Sequence, residues 1–148
     1  MTTWGEVESV APELAAAVRA CFERGKHKTM ATLRADGSPR ISGTETEFAG
    51  GELTLGMMPG SVKLADVRRD PRIALHSPSV DPPEDPSAWP GEAKVAGRLV
   101  AVGQPGAEGA AFVLDVTEVV HTSIAASGQA LVIASWRPGG QVRRVERA

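Results

Sequence analysis

Residues 29–57, with the sequence TMATLRADGSPRISGTETEFAGGELTLGM, decide the fold of this chain. Apolar and polar residues alternate in three stretches, and a period of two is typical of β-strands. Residues 35–38 (ADGS) separate the first stretch from the second, and residues 49–52 (AGGE) separate the second from the third. Both separators are rich in the residues that tight turns require. The sequence therefore predicts three consecutive antiparallel strands.

A helix precedes these strands. From Val7 to Phe22 the apolar residues recur every three or four positions, which places them on one helical face. Pro12 and the acid after it suit a first helical turn, and Gly25 suits a terminator. We predict a helix from about Pro12 to Glu23 with Cys21 on its buried face.

The C-terminal side continues the β pattern after a short helix. Ser61 is a candidate N-cap, and five prolines make residues 78–91 a long loop. The remaining predicted elements are a helix at 63–69 and strands at 72–77, 92–102, 112–124, 130–137 and 141–145. Because closing a sheet removes its exposed edges, we predict a mainly β single domain over 1–148. It is an antiparallel barrel of six or seven strands with one long N-terminal helix and one short helix.

Composition excludes several classes of function. The chain has 148 residues, with 16 Lys and Arg against 18 Asp and Glu, so no basic excess is present to neutralise nucleic acid phosphates. No apolar run approaches the roughly 20 residues of a membrane span, and the N-terminus lacks the features of a secretory signal. The single cysteine favours a reducing, cytoplasmic compartment. The three histidines are far apart and lack metal-binding spacing, so we expect no metal site.

The candidate site lies in residues 55–71, LGMMPGSVKLADVRRDP, where a strand breaks at Pro-Gly and a helix begins. The first turn of a helix has free N–H groups and a partial positive charge. Ser61 adds a hydroxyl donor and Lys63 a full cation, so the segment suits a phosphate group. The alternative is that Ser61 only caps the helix and Lys63 is solvated.

Neighbouring residues support the phosphate interpretation. Met57 and Met58 precede the break, and soft side chains at a strand end can line a flat ring system, although a methionine is equally an ordinary core residue. Arg40 can direct a second cation at the phosphate or remain solvated. Three small residues follow it on the same strand, and the glycine among them allows a ligand to approach the backbone closely. They are Ser42, Gly43 and Thr44.

The order of these motifs resembles that of the pyridoxamine 5′-phosphate oxidase-like proteins. The motifs are, in chain order, TMATLRADGSPRIS, GGELTLGMMPGSVKLADVRRDPRIAL, AKVAGRLV and a late SWRPG. The resemblance implies a split β-barrel homodimer that binds FMN, or alternatively F420, at the subunit interface. Ser61 and Lys63 would hold the phosphate, and backbone N–H groups near Gly43 or Thr44 would stabilise charge on the reduced ring. Trp136 and Arg137 would reach the site from the other subunit, with interface packing as an equal alternative for Trp136.

The same resemblance implies an oxidoreductase that transfers hydride or electrons between the cofactor and a small organic substrate. The alternative is a non-catalytic barrel that binds or stores a ligand. No acid–base pair stands out as catalytic. Val62 stands where the oxidases proper have Arg, and Met57 stands where they have Thr, so vitamin B6 phosphate is not the expected substrate. Trp89, in the long loop, is a further candidate for the rim of the site.

Overall fold

Three α-helices, one 3₁₀ turn and eight strands make up residues 1–103 and 109–148, which are those that the computed structural model describes. The helices are α1 Trp4–Val10, α2 Pro12–Phe22 and α3 Val62–Arg69, and the 3₁₀ turn is Pro86–Ala88. The strands are β1 His27–Leu33, β2 Pro39–Ala49, β3 Glu52–Met57, β4 Arg72–His76, β5 Glu92–Val102, β6 Ala110–Ile124, β7 Leu131–Trp136 and β8 Arg143–Arg147. The predicted mainly β class is confirmed.

Six of these strands close into a barrel. The order of hydrogen-bonded neighbours is β3-β2-β1-β4-β5-β6, and an antiparallel pairing of β3 with β6 closes the ring. β7 and β8 continue the sheet outside the barrel from β6. The long strand β6 serves both parts, because Ala110–Val113 pair with β3 while Val119–Ile124 pair with β7. The predicted barrel is confirmed, with eight described strands where six or seven were expected.

The barrel interior is apolar and tightly packed. Met30, Leu53, Val95 and Leu114 point inward and are completely buried, because alternate residues of each strand face the core. At Gly97, where the β5–β6 register shifts, an added Cβ would lie 2.1 Å from the carbonyl oxygen of Asp115. Only glycine fits where the two backbones approach so closely.

The N-terminal helices cover the barrel, and α1 corrects the sequence analysis. A helix was predicted only from Pro12, whereas α1 begins at Trp4 and is separated from α2 by Ala11. The Thr3 hydroxyl accepts from Glu6 N–H and the Glu6 carboxylate accepts from Thr3 N–H, a capping box that stabilises this short helix. Trp4 is buried against Phe48, with ring centroids 4.8 Å apart. This aromatic contact adds tertiary stabilisation that a seven-residue helix needs.

In α2 the predicted buried face is confirmed. Leu14, Val18 and Phe22 lie in the core, and Cys21 lies with them as a core residue. Burial raises the pKa of the Cys21 thiol. Within the described parts of the chain, none of the helices combines the length and the apolar character needed to cross a membrane.

Candidate functional site

The candidate site lies where β2 and β3 separate, which we call the β2–β3 opening. β2 pairs with β3 only over Thr46–Ala49, whereas Pro39–Glu45 pair with β1 on the other side. β3 then pairs with β6 over Thr54–Met57. A groove of about 630 Å³ lies next to this divergence and is lined among others by Glu45, Thr46 and Gly56, whereas Gly43, Ser61 and Lys63 are not among its lining residues. Its volume is within the range of small-molecule sites.

The backbone of β2 forms one wall of the opening. Arg34 N–H donates to the Ser38 carbonyl at 2.8 Å, which fixes that pair as hydrogen-bonded and sets the alternation along the hairpin. It follows that the N–H and C=O groups of Ile41, Gly43 and Glu45 point away from β1. Over these residues β3 is not paired to β2 in the part of the chain described. The Thr44 N–H faces β1, so of the two predicted backbone donors only that of Gly43 faces the opening.

The second wall is the β3–α3 corner, residues 57–63. Ser61 N–H donates to the Met58 carbonyl at 3.2 Å, and Gly60 adopts φ +74°, which favours glycine. The Ser61 hydroxyl accepts from Leu64 N–H at 3.3 Å as the N-cap of α3. Its own proton remains available as a donor to a ligand. The corner therefore combines a hydroxyl donor with the first-turn N–H groups of an eight-residue helix.

Lys63 joins the two walls. Its Nζ donates to the Gly43 carbonyl oxygen at 2.6 Å, across the opening from α3 to β2. An ammonium group has three N–H donors, so this contact leaves two for an anion. The structure thus brings together three of the predicted residues, namely Gly43, Ser61 and Lys63. A phosphate group fits the donor set at this corner.

Arg40 is held by a residue that the sequence analysis missed. Its Nε donates to Oδ2 of Asp66 at 2.7 Å, and the same oxygen accepts from the Thr32 hydroxyl at 2.7 Å. Arg69 Nη2 donates to Oδ1 at 3.0 Å. The Arg40 hydrogen bond, with the help of the other two, lowers the pKa of Asp66 to about 2. The carboxylate is therefore ionised at neutral pH and sits buried beneath α3.

The other predicted site residues of β2 and β3 differ in whether their side chains point into the barrel. Ser42 and Thr44 point inward, and the buried Ser42 hydroxyl has no hydrogen-bond partner among the residues that the structure describes. Met57 also points inward and lies in the core, whereas Met58 is 77% exposed beside the corner. Met58 thus leaves an apolar surface exposed, and its contact with a ligand stays a prediction. The expected contact between Met57 and a ring stays a prediction.

Trp136 and Arg137 lie far from the corner within one protomer. Met57 pairs with Ala110 at one end of β6, and Trp136 pairs with Val119, which is about 30 Å further along the strand. Trp136 is buried in its own protomer, and its Nε1 donates to the Gly140 carbonyl at 3.1 Å. Arg137 is exposed and pairs with Glu118, 2.7 Å from Nε to the carboxylate. Their role at a cofactor stays a prediction.

Lys28 is a further buried group at the opening. Its Nζ donates to the carbonyl oxygens of Gly25 at 2.8 Å and Lys26 at 3.2 Å. Burial lowers the pKa of this ammonium.

In the long loop, Trp89 Nε1 donates to the Val80 carbonyl at 2.7 Å, which ties the two ends of the loop together. The expected place of Trp89 at the rim of the site stays a prediction.

Comparison with known proteins adds the fold but no sequence relative. No family model matches the chain, and no curated protein matches its sequence. A pyridoxamine 5′-phosphate oxidase-related, FMN-binding protein from Nostoc punctiforme is similar in structure, with a TM-score of 0.66 and 11% identity, covering 93% of this chain and 96% of that one. An F420 reductase is similar over 68% of this chain and 93% of its own, with a TM-score of 0.51 and 18% identity.

The heme storage protein HutZ from Vibrio cholerae shares the fold as well. It matches with a TM-score of 0.51 and 11% identity over 71% of this chain and 88% of that one. The chain therefore has the split β-barrel fold of the pyridoxamine 5′-phosphate oxidase-like proteins. Proteins with this fold bind different groups, so the function must be argued from the site.

Proposed function

We propose that this protein is a flavin-binding oxidoreductase of the pyridoxamine 5′-phosphate oxidase-like family, with FMN as the cofactor. The observation that carries the proposal is the Lys63–Gly43 contact. It brings a cation and the start of α3 to the open edge of β2, so that anion donors and backbone N–H groups face one opening. FMN needs both, because it has a phosphate at one end and a ring with hydrogen-bonding edges at the other.

The residues present fit the cofactor. Ser61 and Lys63 would hold the phosphate, and the Arg40–Thr44 segment of β2 would run beside the ring. An added Cβ at Gly43 meets no atom of residues 1–103 or 109–148 within 4 Å, so the described chain leaves the space over this strand open to a ligand. When bound, a flavin supplies the hydride or electron transfer itself. The chain would bind the cofactor, orient it through the Gly43 N–H and exclude water through apolar groups such as Met58.

FMN is preferred to F420 because the donor set is compact. Ser61 and Lys63 are two residues apart and lie at one corner, which suits a single terminal phosphate. The long anionic tail of F420 would benefit from cations spread along a groove. Lys26 and Lys28 line the groove, but Lys28 already donates to two backbone carbonyls and Lys26 lies 3.8 Å from Glu45. F420 remains the alternative, and its binding is measured beside that of FMN.

The working form would be a homodimer. Three large apolar side chains near the Lys63–Gly43 contact are strongly exposed in the single chain: Ile41 at 75%, Met58 at 77% and Val62 at 58%. Covering them with a second protomer would remove apolar surface from water. The second protomer would also bring Arg137 to a corner that it does not reach within its own chain. Light scattering after size-exclusion chromatography tests this, and a monomeric holoprotein would contradict it.

A second candidate is a non-catalytic barrel that binds or stores a ligand. This second candidate is supported by the similarity in fold to a heme storage protein. The two candidates differ in turnover, because an oxidoreductase must exchange electrons between its bound flavin and a small organic substrate, a nicotinamide or a quinone. Protein that binds FMN but turns over none of these would support the binding candidate. A cytoplasmic location and the absence of nucleic acid binding stay predictions.

The decisive experiment is a titration of the purified protein with FMN, riboflavin and F420. Lys63→Met tests the phosphate contact, and Arg68→Met, on the same helix and exposed, is the matched control. A charge-assisted hydrogen bond contributes about 1.5–3 kcal/mol, so Lys63→Met should weaken FMN binding by about 10- to 100-fold. Riboflavin binding and the Arg68→Met variant should change little. Protein that takes up neither FMN nor F420, or a Lys63→Met variant with unchanged FMN affinity, would refute the assignment.

A further inference from the structure

We propose that Asp66 is a positioning residue that holds Arg40 as the second cation of the phosphate site. The inference rests on the proposed function and deepens it, because it assigns the site to a phosphomonoester dianion. Asp66 itself would touch no ligand. It would act through the Arg40 guanidinium, which it fixes from below α3.

The geometry of the carboxylate supports this role. Asp66 is 2% exposed, and both of its oxygens are used: Oδ2 accepts from Thr32 and Arg40, and Oδ1 accepts from Arg69. Thr32 and Arg40 are directly opposite each other on β1 and β2. The carboxylate thus ties α3 to two strands at once, and the Arg40 side chain is fixed where it would otherwise be free to rotate.

The charges show which cation remains available. Arg69 bridges Asp66 and the Leu33 carbonyl oxygen, the latter at 2.7 Å, so its guanidinium is tied to the barrel and offsets the carboxylate charge together with Arg40. Arg40 contacts Asp66 through Nε, and its side chain is 24% exposed. Among the described residues its two terminal amino groups have no hydrogen-bond partner, and these are the donors that we assign to a ligand. The cluster of two guanidinium groups and one carboxylate has a net charge of about +1, which Arg40 and Arg69 share.

Arg40 on β2 and Lys63 on α3 both lie along the contact between these two elements. Lys63 and Asp66 are three residues apart on α3, so they lie on neighbouring turns of one helix face, with Cβ atoms about 5–6 Å apart. Their partners Gly43 and Arg40 are likewise three residues apart on β2. Two cations thus lie along the same helix–strand contact. They match a phosphomonoester, which has a charge of about −1.5 to −2 at pH 7, better than a singly charged phosphodiester.

The test measures the preference for FMN over riboflavin, which is the ratio of the two dissociation constants. Asp66→Asn keeps the shape of the side chain but removes the charge, and we expect it to reduce this preference about tenfold with riboflavin binding unchanged. Arg40→Met should reduce the preference equally, and the double variant should lose no more than either single one. Thr32→Val is the matched control, because it removes a hydrogen bond to the same Oδ2 without touching Arg40.

A second variant covers the case in which Asp66→Asn does not fold. Arg40→Lys keeps a cation for Asp66 but lacks the two terminal amino groups, so it should lower the FMN preference as well. The inference is overturned if Arg40→Lys retains the full preference. It is also overturned if Asp66→Asn weakens FMN and riboflavin by the same factor, since that result indicates a purely structural role.

The outcomes separate this inference from the proposed function. Wild-type protein with no preference for FMN over riboflavin would remove the phosphate site itself, and both proposals would fail. Wild-type protein that prefers FMN, loses the preference in Lys63→Met and keeps it in Asp66→Asn would overturn only the role of Asp66.

Discussion

The same substitution at two strand glycines should have opposite effects on stability. At Gly43 an added methyl group meets nothing within 4 Å, and the backbone φ is not positive. Glycine inside a strand is less favourable than alanine by about 0.5–1 kcal/mol, so Gly43→Ala should raise the melting temperature by about 1–4 °C. At Gly97 the added Cβ would lie 2.1 Å from a backbone oxygen of β6.

The cost at Gly97 follows from that distance. The two backbones must move apart by about 1 Å, because real Cβ atoms do not come within 3.0 Å of a neighbour. Overpacking costs about 1–3 kcal/mol and one disturbed ladder hydrogen bond adds about 0.5–1.5 kcal/mol, which together give about 1.5–4.5 kcal/mol. Gly97→Ala should therefore lower the melting temperature by about 10 °C.

Gly43→Ala, the variant expected to be more stable, should lose affinity for FMN. The Gly43 methyl group would project into the space proposed for the cofactor, so Gly43→Ala should weaken FMN binding by about 5- to 100-fold while the protein becomes more stable. Thermal melting by circular dichroism and equilibrium FMN titration measure the two effects. A Gly43→Ala variant that binds FMN as tightly as wild type would refute the placement of the ligand over β2. A Gly97→Ala variant that melts within about 2 °C of wild type would refute the steric reasoning.

Three further predictions concern stability and reactivity. The pKa of Asp66 is lowered to about 2, mainly by Arg40, and that of Asp70 to about 2, mainly by Arg72. Because these folded-state pKa values lie below the unfolded value of about 3.9, the two ionised carboxylates stabilise the fold above about pH 4, and this stabilisation is lost towards pH 2. The melting temperature should therefore fall between about pH 4 and pH 2, and it should fall less steeply in Asp66→Asn. Cys21 is buried with a raised pKa, so a thiol reagent should modify it only after unfolding in guanidinium. Arg137 is 76% exposed, so Arg137→Ala should change the free energy of unfolding by less than about 1 kcal/mol in chemical denaturation, and a larger loss would contradict a surface ion pair.

Local signals made the first half of the barrel predictable. The alternation in β1, β2 and β3 and the two tight turns between them are properties of neighbouring residues, and the structure has all three strands within about two residues of the prediction. The position of Met57 was also accessible from sequence. It shares parity with Leu53 and Leu55, so its burial follows once their side of β3 is known to be the core.

Contacts between distant residues account for what the sequence did not predict. Nothing local to β3 indicates that it pairs with β6, which lies more than fifty residues later, so the closure of the barrel was predicted only as a class. Asp66 is expected to be solvated from sequence alone, because an aspartate is rarely buried unless it is paired. Its burial depends on how α3 packs on β1 and β2. The opening likewise exists because β2 and β3 pair with each other only over Thr46–Ala49 and Glu52–Leu55, an extent of pairing that no local pattern indicates.

The length of β6 means that each proposed site takes residues from two chains. Its fifteen residues separate the closed barrel from β7 and β8, so a single polypeptide does not bring Arg137 to its own Lys63. In the proposed dimer each site would be a composite of two chains. Mixing a chain altered at one of these positions with a chain altered at the other would then regenerate one intact site in each mixed pair, by subunit complementation.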